Sequence, residues 1–261
     1  SMKTPAGDGD APSDRIFAVI DTVVAEHGPI SITEIAARLG LSSPTVHRIT
    51  TQLAARGYLK RALGSKRFVP GARLTDLGLR VAGAAFKADR PHAILLALAH
   101  EVKEHCQIGI MADGQVAYVD SARIARSVGL QFEPGRAAPL YCTSIGKLFL
   151  AEMTEKELEQ VLANLQFERF TPSTICDRDA LRREVARVRA AGWASSNGEF
   201  SAGVVGCAVP IRTQQGTMIA GLGMSVPEAH IGFEEIARFI PGLRDYAERI
   251  SGALDLGASA S

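Results

Sequence analysis

Residues 31–57 read SITEIAARLGLSSPTVHRITTQLAARG, and this stretch predicts two short amphipathic helices joined by a tight corner. Ser31 and Glu34 match an S-x-x-E capping box, which satisfies free N–H groups at a helix start. Gly40 can end that helix, because glycine adopts a positive φ without steric cost. Ser42 can cap the second helix, and Pro44 falls in its first turn, where a missing N–H does no harm.

The second helix has an apolar and a polar flank. Val46, Ile49 and Leu53 are spaced to face inward, which leaves small polar and basic side chains outside. Such a helix suits the DNA major groove, where base edges are read by hydrogen bonds. The predicted DNA contacts from this segment are Ser42, Ser43, Thr45, His47, Arg48 and Thr51. An ordinary helical hairpin shares this turn chemistry and stays an alternative.

The next residues, YLKRALGSKRFVP from 58 to 70, predict a basic β-hairpin. Its strands are expected at Tyr58–Ala62 and Lys66–Val69, around a turn at Gly64-Ser65. A helix-turn-helix followed by such a hairpin is the winged variety. We therefore expect Lys66 and Arg67 to bind DNA phosphates.

Charge separates the chain into two parts. Residues 13–75 carry nine Lys and Arg against four Asp and Glu, a net charge of +5, whereas the whole chain is +1. A basic segment joined to a net acidic remainder is typical of a nucleic-acid-binding module attached to another domain. A merely solvated basic face would not explain why the charge accompanies this topology.

Length and composition favour two domains in a chain of 261 residues. No apolar run has the roughly 18–20 residues that span a bilayer, and residues 1–12 lack a signal-peptide core, so we expect a disordered tail there and no membrane partner. The four cysteines form no C-x-x-C pair, which favours reduced thiols and a cytoplasmic location.

Helices are predicted on both sides of this DNA-binding segment. A first helix is expected over 14–26, and a linker helix over 73–91, ended by Pro91. The alternative for residues 73–91 is a helix that packs inside the C-terminal domain. A further helix is expected from His92 to His105.

The C-terminal part predicts an α+β domain, an antiparallel sheet with helices. Asp113-Gly114 marks a hairpin, SVGLQF at 127–132 an extended segment, and helices are expected to start at Thr143 or Ser144, at Thr154 and at Asp177. Strands are expected over 193–199, 207–213 and 218–226, followed by a final helix from residue 232 with a kink at Pro241.

Motifs for catalysis or metal binding are missing from the sequence. His100 and His105 are five residues apart, so on one helix they could not share a metal ion. SIGK around Lys147 lacks the first glycine of a phosphate loop, and there is no G-x-S-x-G motif. We expect no enzyme activity, no metal and no cofactor.

The motifs PTVHRITTQLAARGYLKR, TSIGK, FTPSTI and AGWASSNGEFSAGVVGCAVPI occur in the order found in the IclR family of transcriptional regulators, which the chain resembles over about Arg15 to Leu254. The resemblance implies a winged helix-turn-helix (13–72), a linker helix (73–91) and a GAF-like effector-binding domain (92–255). It also implies operator DNA, a small-molecule effector and a homodimer or homotetramer as partners.

By the same resemblance, an anionic effector would lie at the helix start near Thr143 and Ser144. The implied effector contacts are Thr143, Ser144, Ser196, Glu199, Cys207 and Ser225. The family often has an acidic residue where this chain has Ser196, a charged or polar residue at Val205 and a polar one at Gly223, and some members carry a polar or thiol side chain at Gly206. This loss of polarity and bulk favours a larger, less polar effector such as an aromatic acid. A pocket made smaller by packing, or a bulge at Gly206 or Gly223, is the alternative. Two rival hypotheses remain: a ligand-binding or enzymatic module whose N-terminus only oligomerises, and a C-terminal domain that serves oligomerisation alone.

Overall fold

The computed structural model describes residues 11–26, 28–62, 64–123 and 135–258, with side chains up to residue 254. The chain forms two compact units, divided between Arg80 and Val81. Most of the expected tail, residues 1–10, lies outside the described residues. Pro12 does not belong to a tail, because it is the first residue of a helix.

The N-terminal unit contains three helices and a two-stranded hairpin. The helices are α1 (Pro12–Val24), α2 (Ile32–Leu39) and α3 (Ser43–Ala55), and the strands are β1 (Leu59–Arg61) and β2 (Phe68–Pro70). Val19, Ile35, Val46 and Phe68 pack in the core that these elements share. An antiparallel bridge between Ile30 and Phe68 ties the hairpin to the start of α2.

The predicted caps of α2 and α3 are confirmed. The N–H of Glu34 donates to Ser31 Oγ at 3.2 Å, while Ser31 N–H donates to Glu34 Oε2 at 2.8 Å. Gly40 ends α2 in the left-handed region with φ +66°. Ser42 Oγ accepts the N–H of Thr45 at the start of α3. These local hydrogen bonds fix the corner between α2 and α3.

The linker helix is shorter than expected. Helix α4 spans Ala72–Phe86, and α5 begins at Asp89 and runs to Val102. The prediction that Pro91 ends the linker helix is wrong. Pro91 lies in the first turn of α5, where its missing N–H has no partner within the helix to lose.

The C-terminal unit is built on a six-stranded antiparallel sheet with strand order β5-β4-β3-β8-β7-β6. The strands are β3 (His105–Ala112), β4 (Gln115–Ala122), β5 (Ala137–Pro139), β6 (Ala194–Asn197), β7 (Val204–Arg212) and β8 (Met218–Pro227). Asp113 and Gly114 have φ +49° and +73°, as the predicted hairpin turn requires. The segment 127–132 lies outside the described residues.

Helices cover the two faces of this sheet. Helices α6 (Ser144–Glu152), α7 (Glu155–Asn164) and α8 (Arg178–Ala191) contribute to a core on one face. Helices α5 and α9 (Ile240–Ala258) contribute to a core on the other. Thr154 and Asp177 cap α7 and α8 as predicted.

The last predicted helix is divided in two. A 3-10 helix spans Phe233–Phe239, and Pro241 falls in the first turn of α9 instead of kinking a continuous helix. Among the described residues, no helix combines the length and the apolar character needed to span a membrane.

Candidate functional sites

The polar flank of α3 is open to solvent. Ser43, His47, Arg48 and Thr51 are exposed, whereas Val46, Ile49 and Leu53 are buried on the opposite flank. The hydroxyls of Ser42 and Thr45 lie 2.8 Å apart, and Ser42 Oγ caps the helix. The predicted inner and outer faces of α3 are therefore confirmed, and the outer face presents donors and acceptors that can reach base edges.

Arg67, a predicted phosphate ligand, is held in an ion pair within the N-terminal unit. Its Nη2 lies 2.6 Å from Glu34 Oε2, and its Nε donates to the carbonyl of Pro29 at 2.8 Å. Hydrogen bonds to Ser31, followed by the one to Arg67, lower the pKa of Glu34 to about 2. Arg67 therefore fastens the hairpin to the capped end of α2.

Other cations of the hairpin remain turned outward. Lys60, Arg61 and Lys66 are exposed, and Arg61 lies over the Phe68 ring at 5.3 Å. Lys66 forms no ion pair with any part of the chain that the structure describes. Of the two predicted phosphate ligands on the hairpin, Lys66 is therefore the one without an ion pair among the described residues.

A cavity lies in the C-terminal unit between the sheet, the start of α6 and the loop before β7. Four predicted effector residues, Thr143, Ser144, Ser196 and Ser225, line it, together with Gln107, Tyr118, Cys142, Phe200, Ser201, Val204 and Gly206. The space open to the centre of a water molecule is about 20 Å³, room for about one water. The cavity must widen before it can hold an organic molecule.

The start of α6 presents N–H groups at this cavity. Thr143 Oγ1 accepts the N–H of Gly146 at 3.2 Å and donates to the carbonyl of Pro139 at 2.9 Å. The N–H groups of Ser144 and Ile145 find no acceptor among the described residues. Thr143 therefore acts as a cap, and the backbone after it offers the donors that suit an anion.

Sequence reasoning missed Gln107. The Gln107 side chain is 2% exposed, and its Nε2 donates to Ser225 Oγ at 2.8 Å. Its Oε1 is buried without a hydrogen-bond partner in the described part of the chain. The only signal was a polar residue among the apolar residues 106–112 of β3, and its partner Ser225 stands 118 positions away.

Two glycines expected to enlarge the cavity play different parts. Gly206 borders the cavity, and a Cβ there would lie 3.1 Å from the Met224 carbonyl oxygen and 3.6 Å from Ser225 Oγ. A Cβ at Gly223 would lie 3.1 Å from Gln107 Nε2 and from Ile145 Cδ1. The expectation is therefore wrong for Gly223, whose missing side chain is replaced by neighbouring atoms.

Glu199 lies beside the cavity wall in a buried ion pair. Its Oε1 is 2.6 Å from Lys147 Nζ, which also donates to the carbonyl of Ser195 at 3.0 Å and lies 3.3 Å from Glu184 Oε1. Lys147 is 1% exposed. Burial raises the pKa of Glu199 although Lys147 acts in the opposite direction. Glu199 is thus not among the residues that line the cavity, contrary to expectation.

Cys207 faces away from the cavity, so its place in the expected effector set is wrong. Strand residues alternate between the two faces of a sheet, and Gly206 borders the cavity. Cys207 accordingly packs in the core shared with α5 and α9. Burial raises the pKa of Cys207, and that of the cavity residue Cys142, to about 12, so both thiols stay protonated and are poor nucleophiles.

The sequence predicted that His100 and His105 lie on one helix, but the structure places them on different elements. Helix α5 ends at Val102, and His105 is a buried residue of β3. In the described ranges, no three His, Cys, Asp or Glu side chains cluster as ligands of a metal ion would.

Two family sequence models match the chain, and together they cover both units. The IclR helix-turn-helix domain matches residues 13–62, and the bacterial transcriptional regulator IclR C-terminal domain matches residues 88–252. Among curated proteins, the chain is 28% identical over 241 residues to a probable transcriptional regulator, SauR, of Cupriavidus necator; the match covers 92% of this chain and 96% of that protein.

Solved structures of other proteins resemble this chain in both fold and sequence. The crystal structure of the Thermotoga maritima IclR aligns with a TM-score of 0.61 and 28% identity, over 93% of this chain and 98% of that one. An IclR homologue of Microbacterium hydrocarbonoxydans, crystallised with 4-hydroxybenzoate, aligns with a TM-score of 0.60 and 26% identity, over 94% of this chain and all of that one.

Proposed function

Because the chain belongs to the IclR family of transcriptional regulators, with a DNA-binding helix-turn-helix and an effector-binding C-terminal domain, we propose how its own residues perform these two tasks. Helix α3 reads operator DNA, and a small organic acid in the cavity beside α6 controls that binding. The observation that carries this proposal is the solvent-exposed polar flank of α3 beside a cationic hairpin.

The DNA contacts divide into two kinds. Arg48 and Thr51, with Ser43, Thr45 and His47, approach base edges in the major groove and set the sequence preference. Lys66 contacts phosphates and adds affinity on any sequence. Ser42 caps α3 and Arg67 holds the hairpin against α2, so both act by positioning.

The test is a selection of binding sites from random duplex DNA with the full chain, followed by fluorescence anisotropy over a salt series. Lys66→Ala should weaken binding to all sequences alike and reduce the slope of log affinity against log salt by about 1. Arg48→Ala and Thr51→Ala should change the selected sequence. Lys156→Ala, an exposed cation on α7, is the matched control and should change neither. A uniform loss for all three N-terminal variants would contradict these roles.

The effector proposal rests on the N–H groups at the start of α6. A carboxylate placed there gains hydrogen bonds to backbone N–H groups and a favourable interaction with the helix dipole. Because the cavity holds about one water, the loop that carries Phe200 and Ser201 must move outward to admit an acid. The 4-hydroxybenzoate bound by the Microbacterium relative supports an acid of that general kind.

Thermal shift with a panel of aliphatic and aromatic acids tests this part, because a ligand that binds only the folded state raises its melting temperature. An acid that binds should also change the affinity for the selected DNA, through α4, the chain connection between the units. Failure of every acid would reject the effector class and leave the DNA-binding proposal standing.

We also propose a homodimer or homotetramer in the cytoplasm, where the operator is. Apolar side chains on α1 and α4 support self-association, since Phe17 is 64% and Val81 is 62% exposed. Sedimentation of the full chain with and without the selected DNA measures the assembly, and a monomer bound to a single half-site would reject it.

A further inference from the structure

We propose that Gln107 selects effectors that carry a hydrogen-bond donor, such as a hydroxyl group, in addition to their carboxylate. This inference rests on the proposed effector site and gives Gln107, on strand β3, the role of selecting among acids. It starts from the one atom of Gln107 that the fold leaves without a partner.

Gln107 is placed across the cavity wall by the register of the sheet. It pairs directly with Gly223 of β8, and Ser225 lies two residues further along the same face. Because Gly223 has no side chain, the Gln107 amide can lie over it and reach Ser225 Oγ.

Only the nitrogen of the Gln107 amide has a hydrogen-bond partner among the described residues. Its Nε2 donates to Ser225, and its Oε1 is buried without a donor within the residues that the structure describes. A buried carbonyl without a hydrogen bond is costly, so a ligand that supplies a donor gains more here than it would in water. Gln107 borders the same cavity as Ser144, whose backbone N–H suits an anion.

The cavity therefore has two complementary polar parts. Backbone donors at the start of α6 suit a carboxylate, and the Oε1 atom of Gln107 requires an O–H or N–H group. An acid without such a group would leave Oε1 as unsatisfied as it is before binding, so it lacks the hydrogen bond that an acid with a donor gains. The ligand class is an acid with a second group that donates a hydrogen bond, and a hydroxy acid is its simplest form.

The experiment compares matched acids on the full chain by calorimetry. The pairs are 4-hydroxybenzoate and benzoate, 3-hydroxybenzoate and benzoate, and lactate and propionate. We expect wild type to bind the hydroxylated member of at least one pair about tenfold tighter or more. In Gln107→Met, which is similar in length but has no acceptor amide, the ratio should fall to about one.

Two controls separate selection from folding. Gln115→Met makes the same substitution at an exposed position of β4, and it should keep the wild-type ratio. Unliganded Gln107→Met should melt no earlier than wild type by more than a few degrees, because the substitution also removes an unsatisfied acceptor. If it does not fold, Gln107→Glu, which keeps an acceptor, should preserve the preference for the hydroxylated acid.

The outcomes are distinguishable. Equal affinity of wild type for both members of every pair, or an undiminished ratio in Gln107→Met, would overturn the role of Gln107 and leave the effector site in place. Binding of none of these acids would overturn both proposals for the cavity.

Discussion

Replacing Lys147 with methionine should destabilise the C-terminal unit severely. Lys147 is 1% exposed and has three oxygen partners within 3.3 Å, of which the Glu199 carboxylate is closest. Removing one member of a buried ion pair leaves the other charge without compensation, at a cost of about 3–5 kcal/mol. For a unit of this size, that cost corresponds to a fall in melting temperature of roughly 6–20 °C.

The loss should depend on pH in a defined direction. Burial already raises the pKa of Glu199, and without Lys147 it rises further. A carboxyl whose pKa is raised in the folded state destabilises the fold above that pKa and ceases to do so once it is protonated. The cost of Lys147→Met should therefore be largest near pH 7.5 and smaller near pH 5.

Trp193, the single tryptophan, reports on this region by fluorescence. Its ring lies 5.4 Å from the guanidinium of Arg187, which pairs with Glu184 in the same cluster. Urea unfolding of wild type, Lys147→Met, Glu199→Gln and the double variant gives the interaction energy. A cost below about 1 kcal/mol, the same cost at both pH values, or additive single effects would refute the reasoning.

Three further predictions concern other sites. Gly206→Ala should lower the melting temperature by a few degrees at most, because its Cβ would lie 3.1 Å from the Met224 carbonyl oxygen, and it should weaken acid binding, because the new methyl group borders the cavity. Gly242→Ala, with nothing within 4 Å, is the control, and unchanged acid affinity in Gly206→Ala would contradict the cavity assignment. Gly221→Val should lower the stability of the C-terminal unit by about 1–3 kcal/mol, because a Cβ there lies 2.8 Å from Ile145 Cγ2; a variant as stable as wild type in urea would argue against close packing at this point. Because the pKa of Glu34 is lowered to about 2, its contribution to stability is complete above about pH 4.5 and is lost as the pH falls towards 2. The melting difference between wild type and Glu34→Gln should shrink over that range in circular dichroism, and a constant difference would be inconsistent with this linkage.

Features set by neighbouring residues could be predicted from the sequence. The caps at Ser31, Ser42, Thr154 and Asp177 and the turn at Asp113-Gly114 depend on hydrogen bonds or φ values within a few residues, and the structure has all of them. The same locality explains the correct inner and outer faces of α3.

Errors arose where distant residues decide the outcome. Arg67 is held by Glu34, 33 positions away, and no local pattern indicates that contact. Gln107 depends in the same way on strand register with β8.

The error at Cys207 was avoidable, because a strand that turns Gly206 towards the cavity must turn its next residue away. Pro91 does not mark a helix end, because proline is tolerated in the first turn of a helix as well as after its last one.

Helix α6 packs against glycine residues of the sheet. A Cβ at Gly109, Gly221 or Gly223 would lie within 3.3 Å of the Ile145 side chain, and one at Gly146 within 2.3 Å of the Leu140 carbonyl. The helix therefore cannot sink closer, and lifting it would open a void beneath Ile145. A redesign for a bulkier ligand should therefore keep the packing beneath Ile145 and change the opposite side of the cavity, which the loop with Phe200 and Ser201 borders.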